Sequence, residues 1–384
     1  MNTALVAFSI DAMLPALPAI AAEISPDFPN RAQLVLTSFV LGMGLGTLVT
    51  GPLSDTFGRK PVILVGTALF ILGAIMAGRA TTLEEMVLAR VLQGLGVAGP
   101  RIVALAIVRD LYAGRQMAQI VSYAMMIFTL VPAIAPAFGA VIMDAAGWRS
   151  IFLAFVLFAI FSVGWLTLRQ PETLPAPARQ PFNPPALAKA FRACLSERIF
   201  VLSALAQSVT YAMLFAALSS IQQIFGSVYD RAESFPAWFA VIALIGGLAA
   251  VLNARLVIRL GMRRMILIGF CGQAVISGIV VAAWLGGGVP FALFMAWTTS
   301  VFFMTGLVIG NLNALALEPL GHVAGMAASL MGSIATILGA ALAIPVGLAF
   351  NGTVLPLSLS ICLLALSGAL ILKQERPGQE RPAP

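Results

Sequence analysis

Apolar stretches near membrane length, separated by short polar turns, recur along the whole chain. A membrane-spanning helix needs roughly 20 predominantly apolar residues. On that rule the pattern predicts twelve spans, at 2–22, 33–55, 62–78, 84–108, 117–143, 150–169, 199–227, 235–257, 264–286, 290–316, 323–349 and 353–373. One interruption stands out. Residues 170–185 hold six prolines, which reads as a linker. Beyond it, Leu187, Phe191, Cys194 and Leu195 recur at helical spacing opposite Lys189, Arg192 and Ser196, as in a short helix lying in the membrane interface. The linker divides the chain into 1–169, 170–198 and 199–373, with a tail at 374–384.

Composition narrows the class. Hydrophobic residues make up 60% and charged residues 10% of the chain, where a soluble domain carries about 25% charged residues. The chain is therefore an all-α integral membrane protein. Its net charge of +7 follows from topology rather than from a nucleic-acid partner. With both termini cytoplasmic, sixteen of the 22 Lys and Arg residues fall on the cytoplasmic side, as the positive-inside rule requires. The N-terminal run lacks a basic lead and holds Asp11 and two prolines, so it is expected to stay as the first span. Cys194, Cys271 and Cys362 are far apart and read as packing residues.

The most informative stretch is the turn Gly51-Pro52-Leu53-Ser54-Asp55-Thr56-Phe57-Gly58-Arg59-Lys60. Two glycines let helices turn back closely, and Arg59 and Lys60 hold the turn on the cytoplasmic side. Its spacing, G-x-L-x-D-x-x-G-R-K, resembles the signature loop between helices 2 and 3 of the major facilitator superfamily. Ile258-Arg259-Leu260-Gly261-Met262-Arg263-Arg264 echoes it 203 residues later, with Gly261 on Gly58 and Arg263 on Lys60, and with Ile258 in place of Asp55. The resemblance implies two six-helix halves with a central site near the membrane midplane. It also implies that Gly51, Asp55, Gly58, Arg59 and Lys60, with Arg109 and Asp110 of the fourth span, form a gate that holds the inner side shut.

Asp11 falls within the first span, where a carboxylate costs about 2.5–3.5 kcal/mol and must face a partner or a wet cavity. It is the candidate proton carrier, or else one half of a fixed pair with an arginine of the fourth span. The run from Asp11 through Leu14, Pro15, Leu17 and Pro18 resembles the bicyclomycin and chloramphenicol resistance group of drug:proton antiporters. Leu88-Ala89-Arg90-Val91-Leu92-Gln93-Gly94 is similar to the superfamily's R-x-x-Q-G pattern, and the resemblance assigns Arg90 to proton coupling beside Asp11. Arg101, on nearly the same helix face about 16 Å away, shares that role or binds substrate or a neighbouring carbonyl. Pro132, Pro136 and Gly139 in the fifth span resemble the antiporter helix-bend motif, with other glycines of that motif replaced. Gly147-Trp148-Arg149 fits an external interface anchor.

Asp, Glu, Lys and Arg are absent from 265–317 and from 323–372. Ion coupling is therefore expected in the first half, and an apolar and aromatic cavity wall in the second. Gln207, Tyr211, Phe215, Gln222, Phe302, Phe303, Asn311 and Asn313 are its candidate lining. Such a wall suits lipophilic ligands better than a sugar. The segment from Glu318 to Ser329 again resembles the resistance group, and His322, the only histidine, reads as structural. Neither a P-loop, nor H-E-x-x-H, nor G-x-S-x-G occurs, so no enzyme chemistry, cofactor or metal is expected. The reading is a proton-coupled exporter of lipophilic small molecules. It is expected to work as a monomer in a bacterial inner membrane, with the bilayer, protons and a small-molecule substrate as partners. A metabolite exporter or proton symporter is the nearest alternative, and a non-transporting sensor or scaffold the more distant one.

Overall fold

The computed structural model describes residues 2–179 and 181–374; Arg376 and Arg381, counted above among the inner bases, lie outside them. The helices are α1 (Asn2–Asp11), α2 (Leu17–Ile24), α3 (Leu34–Phe57), α4 (Arg59–Arg79), α5 (Leu83–Leu111), α6 (Gly114–Ala146) and α7 (Arg149–Arg169). After the linker come α8 (Pro184–Ser196), α9 (Arg198–Ser227), α10 (Phe235–Leu260), α11 (Met262–Leu285), α12 (Phe291–Leu317), α13 (Ala324–Leu348) and α14 (Leu355–Lys373). Eleven segments among the described residues are long and apolar enough to cross a membrane, and Leu130–Ala146 of α6 is a shorter apolar run. The apolar pattern therefore placed the helices to within a few residues.

Two expectations about the spans and turns change. The first span is not continuous: α1 stops at Asp11, a 3-10 turn occupies Leu14–Ala16, and α2 begins at Leu17. Pro15 and Pro18 have no N–H for the carbonyls of Asp11 and Leu14, so an unbroken helix cannot form there. The ten-residue turn shrinks to one residue. Gly58 alone (φ +99°, ψ +164°) joins α3 to α4, and the other motif residues are helical. Gly261 (φ +79°, ψ +154°) does the same between α10 and α11, so the internal echo is one of backbone geometry.

Helices α1 to α7 pack among themselves, as do α9 to α14, and the two groups meet chiefly through α3 against α13 and α6 against α10. These are second span on eleventh and fifth on eighth, the same pairing with the halves exchanged. Glycines set the close approaches. On α5, Gly94 lies against the Phe39 and Met43 backbone of α3, and Gly96 against Gly66 and Phe70 of α4. The fourth span is thereby fixed between two neighbours, with its arginines at set depths. Apolar side chains such as Leu168, Leu88 and Val141 remain exposed on the outer surface, as lipid-facing positions do. Cys271 is also exposed, contrary to the packing role expected of it, while Cys194 is buried.

Candidate functional site

Asp11 is the last residue of α1, at the break rather than mid-helix. It is only 5% exposed, and no hydrogen bond or ion pair among the described residues engages its carboxylate. Next to it, the Ala12 carbonyl sits where a Cβ on Gly139 of α6 would be, at 2.1 Å. Gly139 therefore lets α6 close over the helix break. Pro132 and Pro136 lie inside α6, which runs as one helix from Gly114 to Ala146.

Arg90 is fully buried, but it does not pair with Asp11 as expected. Its Nε donates to the Val35 carbonyl at 2.9 Å, one terminal nitrogen to Gln93 Oε1 at 2.6 Å, and the other to the Ser9 carbonyl at 3.1 Å. The guanidinium carbon lies 4.3 Å from the Phe39 ring centre. Arg90 thus satisfies a carbonyl freed near the end of α1 and ties α1, α3 and α5 together. Arg101 parts company with it. Half-buried, it opens onto a cavity and donates to the Met43 thioether at 3.5 Å, a weak acceptor.

At the end of the bundle carrying Gly58, Arg59 bonds Asp55 at 2.5 Å, Asp110 at 2.9 Å and Ser54 Oγ at 2.8 Å. This cluster ties α3, α4 and α5 to one another, and these bonds do not cross to α9–α14. Gly51 instead faces Ser329 of α13, and Arg109 joins no ion pair among the described residues. Lys60 Nζ turns away to the Thr167 carbonyl at the end of α7, at 3.0 Å. Its repeat counterpart Arg263 donates to the Leu372 carbonyl at the end of α14, also at 3.0 Å. The second copy has lost the carboxylate cluster, yet it retains this cation at a helix C-terminus.

Sequence reasoning missed Glu172. From the linker, its Oε1 accepts from Arg59 N and its Oε2 from Lys60 N, both at 2.9 Å, capping α4, while Thr173 donates to Asp110 at 3.0 Å. Burial acts to raise the Glu172 carboxyl, but the N–H groups of Leu174, Lys60, Arg59 and Thr173 outweigh it and hold it below the ordinary glutamate range. A lone acid in a proline-rich stretch after a helix was the only signal. A depressed carboxyl stabilises the fold above the unfolded-state value, and this stabilisation is lost as pH falls through the native one. Glu172→Ala should cost about 1 kcal/mol as a lost cap and free the linker, read as faster proteolytic cleavage within 170–183. Unchanged cleavage would remove the linker-anchoring role.

A cavity of about 720 Å³ opens between the groups at this end. Its walls come from α3, the start of α4, α5, α6, α8, α13 and the linker. At the opposite end the groups are joined by amides. Asn30 Nδ2 donates to the Phe350 carbonyl at 2.7 Å, Gln223 Nε2 to Asn30 Oδ1 at 2.7 Å, and Gln33 Nε2 to Gln223 Oε1 at 2.8 Å. None of the eight candidate lining residues of the second half borders this cavity. Gln207, Phe215, Gln222 and Asn311 are buried in helix packing, and Tyr211, Phe302, Phe303 and Asn313 are half-buried. Asn311 donates to Asn253 at 2.7 Å across α10 and α12, and Asn313 to its own helix at Ile309. Phe302 packs on Phe239. Trp148 and Arg149 both bond Glu23, at 2.7 and 2.5 Å, fastening α7 to α2. The side chain of His322 lies outside what is described.

Comparison with known proteins agrees with this architecture. The chain is 29% identical over 339 residues to the "Bicyclomycin resistance protein homolog" of Haemophilus influenzae, covering 87% of this chain and 83% of that one. It is 29% identical over 369 residues to the "Multidrug resistance protein MdtL" of Shewanella oneidensis, covering 94% and 89%. In fold it is similar to a crystal structure of a D-xylose-proton symporter, with a TM-score of 0.76 at 13% identity, covering 97% and 95%. The sequence profile of the Major Facilitator Superfamily matches residues 1–381, and the chain belongs to that superfamily of membrane transporters.

Proposed function

We propose that this chain exports lipophilic small molecules in exchange for protons, by alternating access between the α1–α7 and α9–α14 groups. The observation that carries the reading is Asp11: a carboxyl, buried and without a partner, at the break of the first span. A group placed there can take up a proton without disrupting an ion pair. The names of the Haemophilus and Shewanella relatives support drug-like substrates. By the positive-inside rule, the end carrying Gly58, Gly261 and the linker faces the cytoplasm, so the cavity opens inward while the Asn30, Gln33 and Gln223 amides close the outer side. A monomer in a bacterial inner membrane fits this arrangement, with 1–169 and 199–373 as the moving halves. Each charge carried inward gains about 2.3 kcal/mol per 100 mV.

The test uses inside-out vesicles with an acid lumen. Adding neutral, cationic or anionic lipophilic antibiotics should trigger proton loss from the lumen with the wild-type protein. With Asp11→Asn, which keeps the shape and removes the titration, that response should vanish. Equal responses from the two would remove Asp11 as the carrier.

A further inference from the structure

The cavity's charge is unbalanced. Four ionisable side chains border it: Asp55, Arg59, Arg101 and Arg109. Arg59 pairs with both Asp55 and Asp110, and Asp110 also feels the charge of Arg109, whereas Arg101 has no carboxylate within ion-pair distance among the described residues. Arg101 and Arg109 lie eight residues apart on α5, about 12 Å along the axis and about 80° around it. Both therefore face the cavity, Arg101 deeper in the bundle and Arg109 near its basic end. Arg101 is the more telling of the two. Positive-inside topology accounts for an arginine at a helix end, but not for one drawn into the membrane whose described contact is a thioether. The remaining lining is largely apolar, with Ile102 and Leu105 of α5, Val121 of α6, Phe182 of the linker and Met326 of α13. A volume of about 720 Å³ suits one drug-sized molecule.

We propose that this cavity is a binding site for amphipathic organic anions, Arg101 engaging the carboxylate or sulfonate and the apolar wall receiving the hydrophobic body. The proposal rests on the exporter reading for the cavity's place on the transport path, and it narrows the substrate class. A lipophilic cation would meet the uncompensated Arg101 guanidinium, and a neutral molecule would forgo the charge-assisted bonds. Two sources can supply such an anion: a free solute, and an anionic lipid headgroup entering from the inner leaflet. The shape of the cavity favours the solute, because the linker and α8 cover one side of it.

Binding, not transport, is the deciding measurement. The full-length protein in phosphatidylcholine nanodiscs would be titrated calorimetrically with naphthoxyacetate, its carboxamide and the matching trimethylammonium ether, with empty discs subtracted. The carboxylate should bind at least about 10-fold more tightly than the ammonium compound, with the amide between them. Arg101→Gln should weaken the carboxylate by about 10- to 100-fold, the range for a hydrogen bond to a charged group, while leaving amide affinity within about 3-fold. Retained amide binding shows that the cavity still forms. Equal affinities in the wild type, or a carboxylate preference that survives Arg101→Gln, would overturn the proposal. Phosphatidylglycerol in the discs separates the sources. Unchanged affinity supports the solute, and competitive loss of carboxylate binding assigns the site to lipid and overturns it. Asp11→Asn should keep the preference intact, so failure of proton coupling and failure of anion recognition are read apart.

Discussion

Gly94→Ala is expected to disrupt the fold, although it adds a single methyl group. The new Cβ would lie 2.0 Å from the Phe39 carbonyl oxygen and 2.8 Å from Met43 N. Both are backbone atoms of α3, so no rotamer change can relieve the clash, and the two helices must separate. Separation would break the Arg90 bond to the Val35 carbonyl and loosen the matching contact in which Gly42 of α3 rests on the Val91 carbonyl. Overpacking in a closed core costs typically 1–3 kcal/mol, and a rigid backbone obstacle puts this case at about 3 kcal/mol or more. Thermal unfolding of the purified protein in detergent checks it. Gly164→Ala is the control, because a Cβ there meets nothing within 4 Å and should be neutral or slightly stabilising. Equal midpoints for Gly94→Ala and wild type would mean that the α3–α5 crossing tolerates more separation than its geometry implies.

Arg90→Lys should abolish transport even though the charge is kept. The guanidinium reaches three acceptors in three directions, the Val35 carbonyl, the Ser9 carbonyl and Gln93 Oε1, and stacks on Phe39. An ammonium on a shorter stem is a point charge and cannot span them. At least one buried carbonyl would lose its donor, at about 1–3 kcal/mol each, and the end of α1 that carries Asp11 would come loose. The expected result is a lowered unfolding midpoint together with no substrate-triggered proton movement. A lysine variant that unfolds like wild type and still couples would show that charge alone matters at this position, as in direct pairing with Asp11.

Much of this architecture was legible in one dimension. Membrane-length apolar runs are a strong constraint because unpaired backbone groups cannot face lipid, and they located the spans. The Gly58 and Gly261 turns could be read because a left-handed backbone between two helices calls for glycine. Asp11 and Arg90 stood out because ionisable groups are rare in such segments. The break in the first span is also present in the sequence, at Pro15 and Pro18, whose missing N–H groups leave the Asp11 and Leu14 carbonyls without helical partners.

Other features were hidden for a physical reason. In a membrane protein lipid and core are both apolar, so polarity does not say which face of a span turns inward. Gln207, Gln222 and Asn311 therefore read as cavity lining and prove to be buried between helices. Arg90 and Arg101 share a helix face in projection, yet one is closed in by α1 and α3 and the other opens on the cavity. The cap from Glu172 on α4 joins residues 113 apart, and the Asn30, Gln33 and Gln223 chain spans nearly 200. The sequence by itself determined the spans, their order, the turns and the few charges the membrane must accommodate, since each follows from local composition and the cost of burial. The tertiary structure decided partners and exposure: which carbonyl Arg90 satisfies, which arginine stays unpaired, and which end of the bundle is open. Those depend on how helices far apart in the chain are brought together, and the spacing of residues along one helix does not encode that.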